Sequence, residues 1–375
     1  MISSDILLDL YNCPADPGRW RLVLDRMCHE FGVASAVVQR FRPSGASIEQ
    51  TWMVRDSASM RDADLHDRLV NNDANPRLNV RIAQPFQHYA IARDRDLFRA
   101  DCPHWAALRN RLRAAGLGES IGAGAQHENG ESLALVLHRR HDDLRPFTED
   151  NERALLQLLP HVENAVNLGR RLECQENRVR QIEEIADGLP IGILTFDREC
   201  IITWANDAAE DILRRSPHLR APGGRLCAVK SNRPDKFGAI VKTGVVSPFG
   251  VVSESLVLGA DNEDELHIVI VPPTSDMDQS ALLLSEPRRT QTAPIEEIAR
   301  LLRVTPAEAR VAAALCAGHT LKEYAESRGI SEGSARNQLK QVLAKTGTRR
   351  QSELIRHLCS SVIFQTGNQR QHLVT

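Results

Sequence analysis

Three capped helix starts and three glycine stops, all between Thr305 and Gly347, constrain this 375-residue chain more tightly than anything else in it. Thr305-Pro306-Ala307-Glu308 supplies a hydroxyl to cap a helix, a proline suited to its first position and a glutamate that can reach back. The turns that follow place Val311, Ala312 and Leu315 on one face, and Gly318 ends them. Thr320-Leu321-Lys322-Glu323 repeats the capping box and opens a short helix with Leu321, Tyr324 and Ala325 inward, stopped at Gly329. Ile330 plugs the core at the turn. Ser331 then caps a third helix, Glu332 to about Thr346, with Ala335, Leu339, Val342 and Leu343 as its buried stripe and Gly347 as its stop. A last helix from about Arg350 buries Leu354 and Leu358. Two short helices joined by a glycine-containing turn make a helix-turn-helix.

The third helix carries the chemistry. With its apolar stripe inward, it turns Ser334, Arg336, Asn337, Gln338, Lys340 and Lys345 outward. An arginine clamps guanine and an asparagine pairs with adenine from the major groove. Lys345, Arg349 and Arg350 are better placed to meet phosphates, which orient a protein without reading sequence. Thr320, Ser331, Ser334 and Gln338 are grouped with them as phosphate-contacting or supporting residues. Charge agrees. The chain is −2 in all, yet eleven Lys and Arg face seven acids between Pro294 and Cys359, leaving 36 basic against 42 acidic residues elsewhere. A basic module on an acidic body suits a partner made of phosphate.

From Val304 to Leu358 the chain resembles the LuxR-type helix-turn-helix family. The residues that carry the likeness are Thr305-Pro306-Ala307-Glu308, Ala317-Gly318, Lys322-Glu323-Tyr324-Ala325, Gly329-Ile330-Ser331, Ser334-Ala335-Arg336-Asn337-Gln338-Leu339, Lys345 and Gly347. The resemblance implies a four-helix, all-α domain that binds double-stranded DNA, with Arg336, Asn337 and Lys340 facing base edges. Three positions depart from the family's habit: Tyr324 where an aliphatic is usual, Ala335 where valine is common, and Gln338 where histidine is frequent.

Upstream, punctuation separates further blocks. Residues 1–147 open with an amphipathic pattern, Ile6, Leu7 and Leu10, then Trp20, Val23, Leu24 and Met27, broken at Cys13-Pro14. Strand-like runs follow at Ala34–Phe41 and Ser132–His138, the second approached through Gly116, Gly118, Gly122 and Gly124, which together suggest an α+β domain. Residues 148–187 read as a long helix capped by Thr148, interrupted or kinked at Pro160. Its apolar residues recur near heptad spacing (Leu155, Leu158 or Leu159, Val162, Val166, Leu172, Val179, Ile182), which fits either packing on its own domain or a parallel dimer seam. In residues 188–285, Ile191–Asp197 and Cys200–Trp204 read as paired strands around a turn at Arg198-Glu199, and Asn206 caps a helix through Leu213. Gly250–Leu258, Leu266–Val271 and Ala281–Leu284 are further strands, with Asp261–Glu265 as a polar hairpin loop. Residues 286–294 form a polar linker and 362–375 a tail beyond the 295–361 module.

The 188–285 block resembles a PAS domain through Leu189-Pro190-Ile191-Gly192-Ile193-Leu194, Asp197, Ile202 and Trp204-Ala205-Asn206-Asp207-Ala208-Ala209. The first block resembles GAF-like sensor regions, through Asp16-Pro17-Gly18-Arg19-Trp20, Phe147-Thr148-Glu149 and Leu158-Leu159-Pro160-His161. These likenesses imply two α+β sensor domains joined by a long helix ahead of the DNA-binding module. They leave room for a small-molecule ligand and for a contact with RNA polymerase.

Enzyme chemistry finds little footing. The chain has no P-loop, HExxH or GxGxxG, and Gly122-Ala123-Gly124 is too short to cradle a phosphate. His218 and His267 are isolated, the acids at 261–265 fit no calcium loop, and no cofactor or metal is expected. Eight scattered cysteines without a CxxC pair suit reduced thiols in a cytoplasm. No apolar run reaches the ~20 residues of a membrane span, and the first residues carry no secretory pattern. The expectation is a cytoplasmic, dimeric, ligand- or partner-gated transcription regulator that is not an enzyme. The alternatives are an enzyme with a DNA-binding tail and a constitutive regulator whose upstream domains only dimerise.

Overall fold

The computed structural model describes residues 3–44, 47–72, 75–77, 89–99, 101–126, 130–229, 246–247, 250–251, 254–259, 265–272, 279–287 and 293–365. It divides into two compact units, Met1–Arg178 and Val179–Thr375, described separately below.

The first unit begins with α1 (Ser4–Asn12) and α2 (Arg19–Phe31), the pair expected on either side of Cys13-Pro14. The Ser3 hydroxyl accepts from Asp5 N, and Gly32 closes α2 in the left-handed conformation that glycine reaches without strain. β1 (Ser35–Ser44), β2 (Ser47–Arg55), α3 (Ser57–Arg61) and α4 (Ala63–Leu69) follow. Next come β3 (Ala90–Arg93), α5 (Asp94–Leu97), α6 (Pro103–Ala114), β4 (Leu117–Gln126) and β5 (Ser132–Arg140). The strands form one antiparallel sheet in the order β2-β1-β5-β4-β3.

Side chains alternate across this sheet. Ala36 and Val38 of β1, with Leu133, Leu135 and Leu137 of β5, turn toward α1, α2 and the long helix α7 (Glu149–Asp187). The other face carries Val37, Phe41, Ala134 and Val136. The glycine-rich approach to β5 is itself a strand. At Gly122 an added Cβ would meet Val136 Cγ2 at 3.6 Å, so glycine keeps that part of the second face shallow.

Thr148 Oγ1 accepts from Asn151 N at 3.4 Å, so α7 starts where its cap and acids placed it. Pro160 does not interrupt it: one helix of 39 residues runs through. The neighbours Leu158, Leu159 and Val162 are fully buried, and their packing outweighs one missing backbone donor. The apolar seam then divides. Leu155 to Val166 belongs to the first unit's core, whereas Leu172, Val179 and Ile182 are 39%, 53% and 58% exposed.

In the second unit, the residues after α7 build β6 (Gly192–Phe196), β7 (Ile202–Ala205), α8 (Asp207–Arg215), β8 (Leu219–Arg220) and β9 (Cys227–Ala228). The short strands β10 (Val246–Ser247) and β11 (Gly250–Val251) pair with each other. β12 (Glu254–Leu258), β13 (Leu266–Val271) and β14 (Ser280–Ser285) complete an antiparallel sheet in the order β12-β13-β14-β6-β7. Phe196, Ile212, Ile268 and Leu282 are among the residues of its core.

Asn206 ties this sheet to its helix. Its Oδ1 accepts from Ile193 N (2.8 Å) and Ala209 N (2.9 Å), while its Nδ2 donates to Ala186 O (2.7 Å) and Ile191 O (2.9 Å). The residue is fully buried, and these four bonds answer the polar valence of its amide. Gly192 is required beside it, because a Cβ there would lie 3.0 Å from Ala209 Cα and 3.1 Å from Leu284 Cβ. The expected loop at 261–264 and linker residues 288–292 lie outside the described residues.

The rest of the unit is helical: α9 (Ile295–Leu302), α10 (Pro306–Cys316), α11 (Leu321–Arg328), α12 (Glu332–Thr346), α13 (Gln351–Cys359) and α14 (Val362–Gln365). α10 to α13 are the four helices expected. α9 adds Ile298 and Leu302 to their core, and α14 adds Phe364 from the segment expected to be tail; residues 366–375 lie outside the described residues. No described helix is long and apolar enough to cross a membrane.

Candidate nucleic-acid interface

Both capping boxes form with their reciprocal bonds. Thr305 Oγ1 accepts from Glu308 N and Glu308 Oε2 from Thr305 N; Thr320 and Glu323 repeat the arrangement at the start of α11. Gly329, at φ 63°, turns the chain out of α11, and Ser331 Oγ accepts from Ser334 N at 3.1 Å to start α12. Ala335, Leu339 and Val342 are buried, which fixes the face that α12 presents outward.

On that face Arg336, Asn337 and Lys340 are exposed. They stand at i, i+1 and i+4, so one turn of helix gathers two cations and an amide. Arg336 Nη2 meets Glu332 Oε1 at 2.7 Å, with side chains 71% and 50% exposed. An exposed i, i+4 pair is worth a few tenths of a kcal/mol, ~0.3–0.5, so a base edge or phosphate can displace the glutamate. Ser331 and Ser334 sit at the N-terminal end of α12 with their hydroxyls 2.9 Å apart.

Two residues assigned to DNA by their position on α12 are held by the domain itself. Lys345 Nζ donates to both carboxylate oxygens of Glu308, at 2.9 and 2.7 Å, so in this structure it fastens α12 to the start of α10. Gln338 Oε1 accepts from the Tyr324 hydroxyl at 3.2 Å, and that hydroxyl also lies 3.4 Å from Ala307 O. Two of the positions that depart from the family's habit therefore touch each other. Neither contact has a local signature, since the partners lie 37 and 14 residues apart.

Arg349 and Arg350 are exposed in the turn after Gly347, with Arg349 N donating to Glu353 Oε2 at 2.8 Å. Thr320 lies at the start of α11. The structure thus gathers Arg336, Asn337, Lys340, Ser331 and Ser334 on one helix and sets Thr320, Arg349 and Arg350 on the segments before and after it. Among the described residues no group of three or more His, Cys, Asp or Glu is placed to hold a metal ion; His267 Nε2 meets Glu265 Oε1 at 2.9 Å.

A family model described as PAS domain matches residues 178–243. No curated protein matches the chain. Among solved structures, the N-acylhomoserine lactone-dependent LuxR family transcription factor CepR2 of Burkholderia cenocepacia is 16% identical, covering 45% of this chain and 96% of its own at a TM-score of 0.30. Escherichia coli SdiA is 11% identical, covering 91% of this chain and 88% of its own at a TM-score of 0.29. The GAF3 domain of Slr1393 from Synechocystis is 14% identical, covering 46% of this chain and 98% of its own, also at 0.29. Superpositions this loose do not establish a shared fold. The segment from 178 to 243 is similar to PAS domains, and the reading of every other segment rests on its own residues.

Proposed function

We propose that the chain is a sequence-specific, DNA-binding transcription regulator of the bacterial LuxR type, without catalytic activity of its own. The observation that carries this reading is the outward face of α12, where Arg336, Asn337 and Lys340 stand exposed on a helix whose opposite face is locked into a core. A helix so held, preceded by a glycine turn and a shorter helix, enters a major groove with its cations and amide toward base edges.

The regulator works as a homodimer in the cytoplasm and answers a signal sensed upstream. Leu172, Val179 and Ile182, all on α7 and all at least 39% exposed, support the dimer because heptad-spaced apolar residues bury themselves against a second helix. The PAS-like segment supports sensing. Contact with RNA polymerase belongs to the same reading.

The test is selection of binding sites from random DNA by the full chain at two salt concentrations, alongside Arg336→Ala. Enrichment of one roughly palindromic site, weakened by salt and lost in the variant, is expected. Salt-sensitive binding without enrichment, under every condition tried, would overturn the reading of α12.

A further inference from the structure

Past Val166 the helix α7 leaves the core it helped to build, and residues 170–182 are all exposed. Placing Leu172 and Val179 at position a of a heptad puts Leu168, Gln175 and Ile182 at position d. These five side chains follow one another at steps of three and four residues, so they form a single stripe. Four of them are apolar and exposed. The fifth, Gln175, is polar and exposed as well.

Charge flanks the stripe in a fixed order. The same phase sets Arg171 and Arg178 at position g and Glu176 and Glu183 at position e, so each side carries one sign over these turns. Neither arginine has an acid three or four residues away on its own helix. Arg171 has Asn167, Leu168, Cys174 and Gln175 at those distances; Arg178 has Cys174, Gln175, Gln181 and Ile182. The neighbouring turns supply no carboxylate, and a second helix can.

Which helix fits is decided by the order of the signs. In a parallel pair in register, position g of one chain faces position e of the following heptad on the other. Arg171 then meets Glu176 of the second copy and Arg178 meets Glu183 of the second copy, and two-fold symmetry repeats both contacts. Laid antiparallel, g faces g and e faces e, which sets arginine against arginine and glutamate against glutamate. A slip of one heptad loses half of the opposite pairs and leaves Gln175 against Leu168 or Ile182. In register, each Gln175 carboxamide can donate to the other.

We infer that this stretch of α7 selects a second copy of this chain, laid parallel and in register, through reciprocal Arg171–Glu176 and Arg178–Glu183 pairs. The inference rests on the dimer of the proposed function and adds what decides its direction, register and choice of partner.

Sedimentation equilibrium of the full chain tests it with two variants. Arg171→Glu/Arg178→Glu leaves only acids beside the stripe, and Glu176→Arg/Glu183→Arg leaves only bases. The substitutions lie outside the cores of both units, and far-UV circular dichroism checks that each variant folds. Each alone is expected to dimerise about tenfold more weakly than the unaltered chain at low salt, a gap that narrows as salt rises. Mixed in equal amounts, the two should regain a dimer of the original strength, each chain paired with the other kind. Variants that dimerise as tightly as the unaltered chain, as an antiparallel stripe would allow, overturn the inference. So does a mixture no stronger than its parts. An unaltered chain that stays monomeric removes the proposed dimer too, whereas a dimer indifferent to these charges removes only the pairing. Site selection on the same preparations reads DNA binding separately.

Discussion

Lys345 Nζ lies 2.9 and 2.7 Å from the two carboxylate oxygens of Glu308, the residue that also closes the capping box of α10. One carboxylate thus secures two helices: it takes the Thr305 N–H through Oε2 and the ammonium through both oxygens. α12 is held at its C-terminal end by an ion pair and along its length by Ala335, Leu339 and Val342.

Lys345→Met should therefore act on stability first. The lysine is 39% exposed and the glutamate 10%, between a surface pair and a buried one, so a loss of about 1–2 kcal/mol is expected. Denaturant unfolding of the full chain measures it. An unchanged midpoint together with weaker, less salt-dependent DNA binding would return Lys345 to the phosphate contacts.

Glu308 also gives that module an acid limit. Burial pushes its carboxyl up, but hydrogen bonds from Lys345 and Thr305 outweigh burial and hold its pKa below the ordinary 4.5. A carboxylate depressed on folding adds stability above its unfolded pKa and loses it as pH falls through the folded one. Stability of the helical module should thus decline below about pH 4.5, and Glu308→Gln should flatten that decline. Amide exchange or far-UV unfolding against pH reads this out; an identical acid profile in the variant would remove the carboxylate from the account.

Arg336 and Arg349 should separate two kinds of contact. Arg336→Ala is expected to cost ~1–3 kcal/mol at one base pair and to relax selection there. Arg349→Ala should weaken every sequence alike and lower the salt slope by about one. The same titration over two or three salt concentrations checks both. Uniform weakening by Arg336→Ala would place that residue on phosphate.

His138 gives the first unit an acid-side loss of its own. Its folded pKa, near 3, lies below the ordinary 6.5 because burial disfavours the imidazolium. Between those values the unfolded chain binds a proton that the folded one does not, so stability falls as pH drops, by up to ~1.4 kcal/mol per pH unit. Unfolding followed through Trp20, Trp52 and Trp105 should show it, and His138→Asn should lessen the slope. A slope the substitution leaves unchanged would mean that other groups carry it.

Legibility in the sequence followed locality. Caps, glycine stops and the Ala335, Leu339, Val342 stripe are decided within a turn or two of helix, and each stands where the spacing put it. The strand Leu117–Gln126 was hidden because its glycines carry no side-chain pattern; only pairing with β3 and β5 makes it a strand. Ser47–Arg55 has no reading in the sequence either: Glu49, Gln50 and Thr51 form an unbroken polar run, and β1 supplies the partner that makes it a strand. The face of α12 was legible, yet the internal engagement of Lys345 and Gln338 was not. Contacts across 37 and 14 residues depend on how helices cross, which spacing along one helix does not encode.

The unbroken passage of α7 through Pro160 gives chain length an angular meaning. From Leu168 to Asp187 the helix runs on as a single rod, each residue adding ~1.5 Å and ~100° of turn. Removing one residue there would leave every local contact possible and spin all that follows by more than a quarter-circle, whereas removing seven would nearly restore the phase. Along such a helix the direction in which each side chain points is set by the count of residues before it.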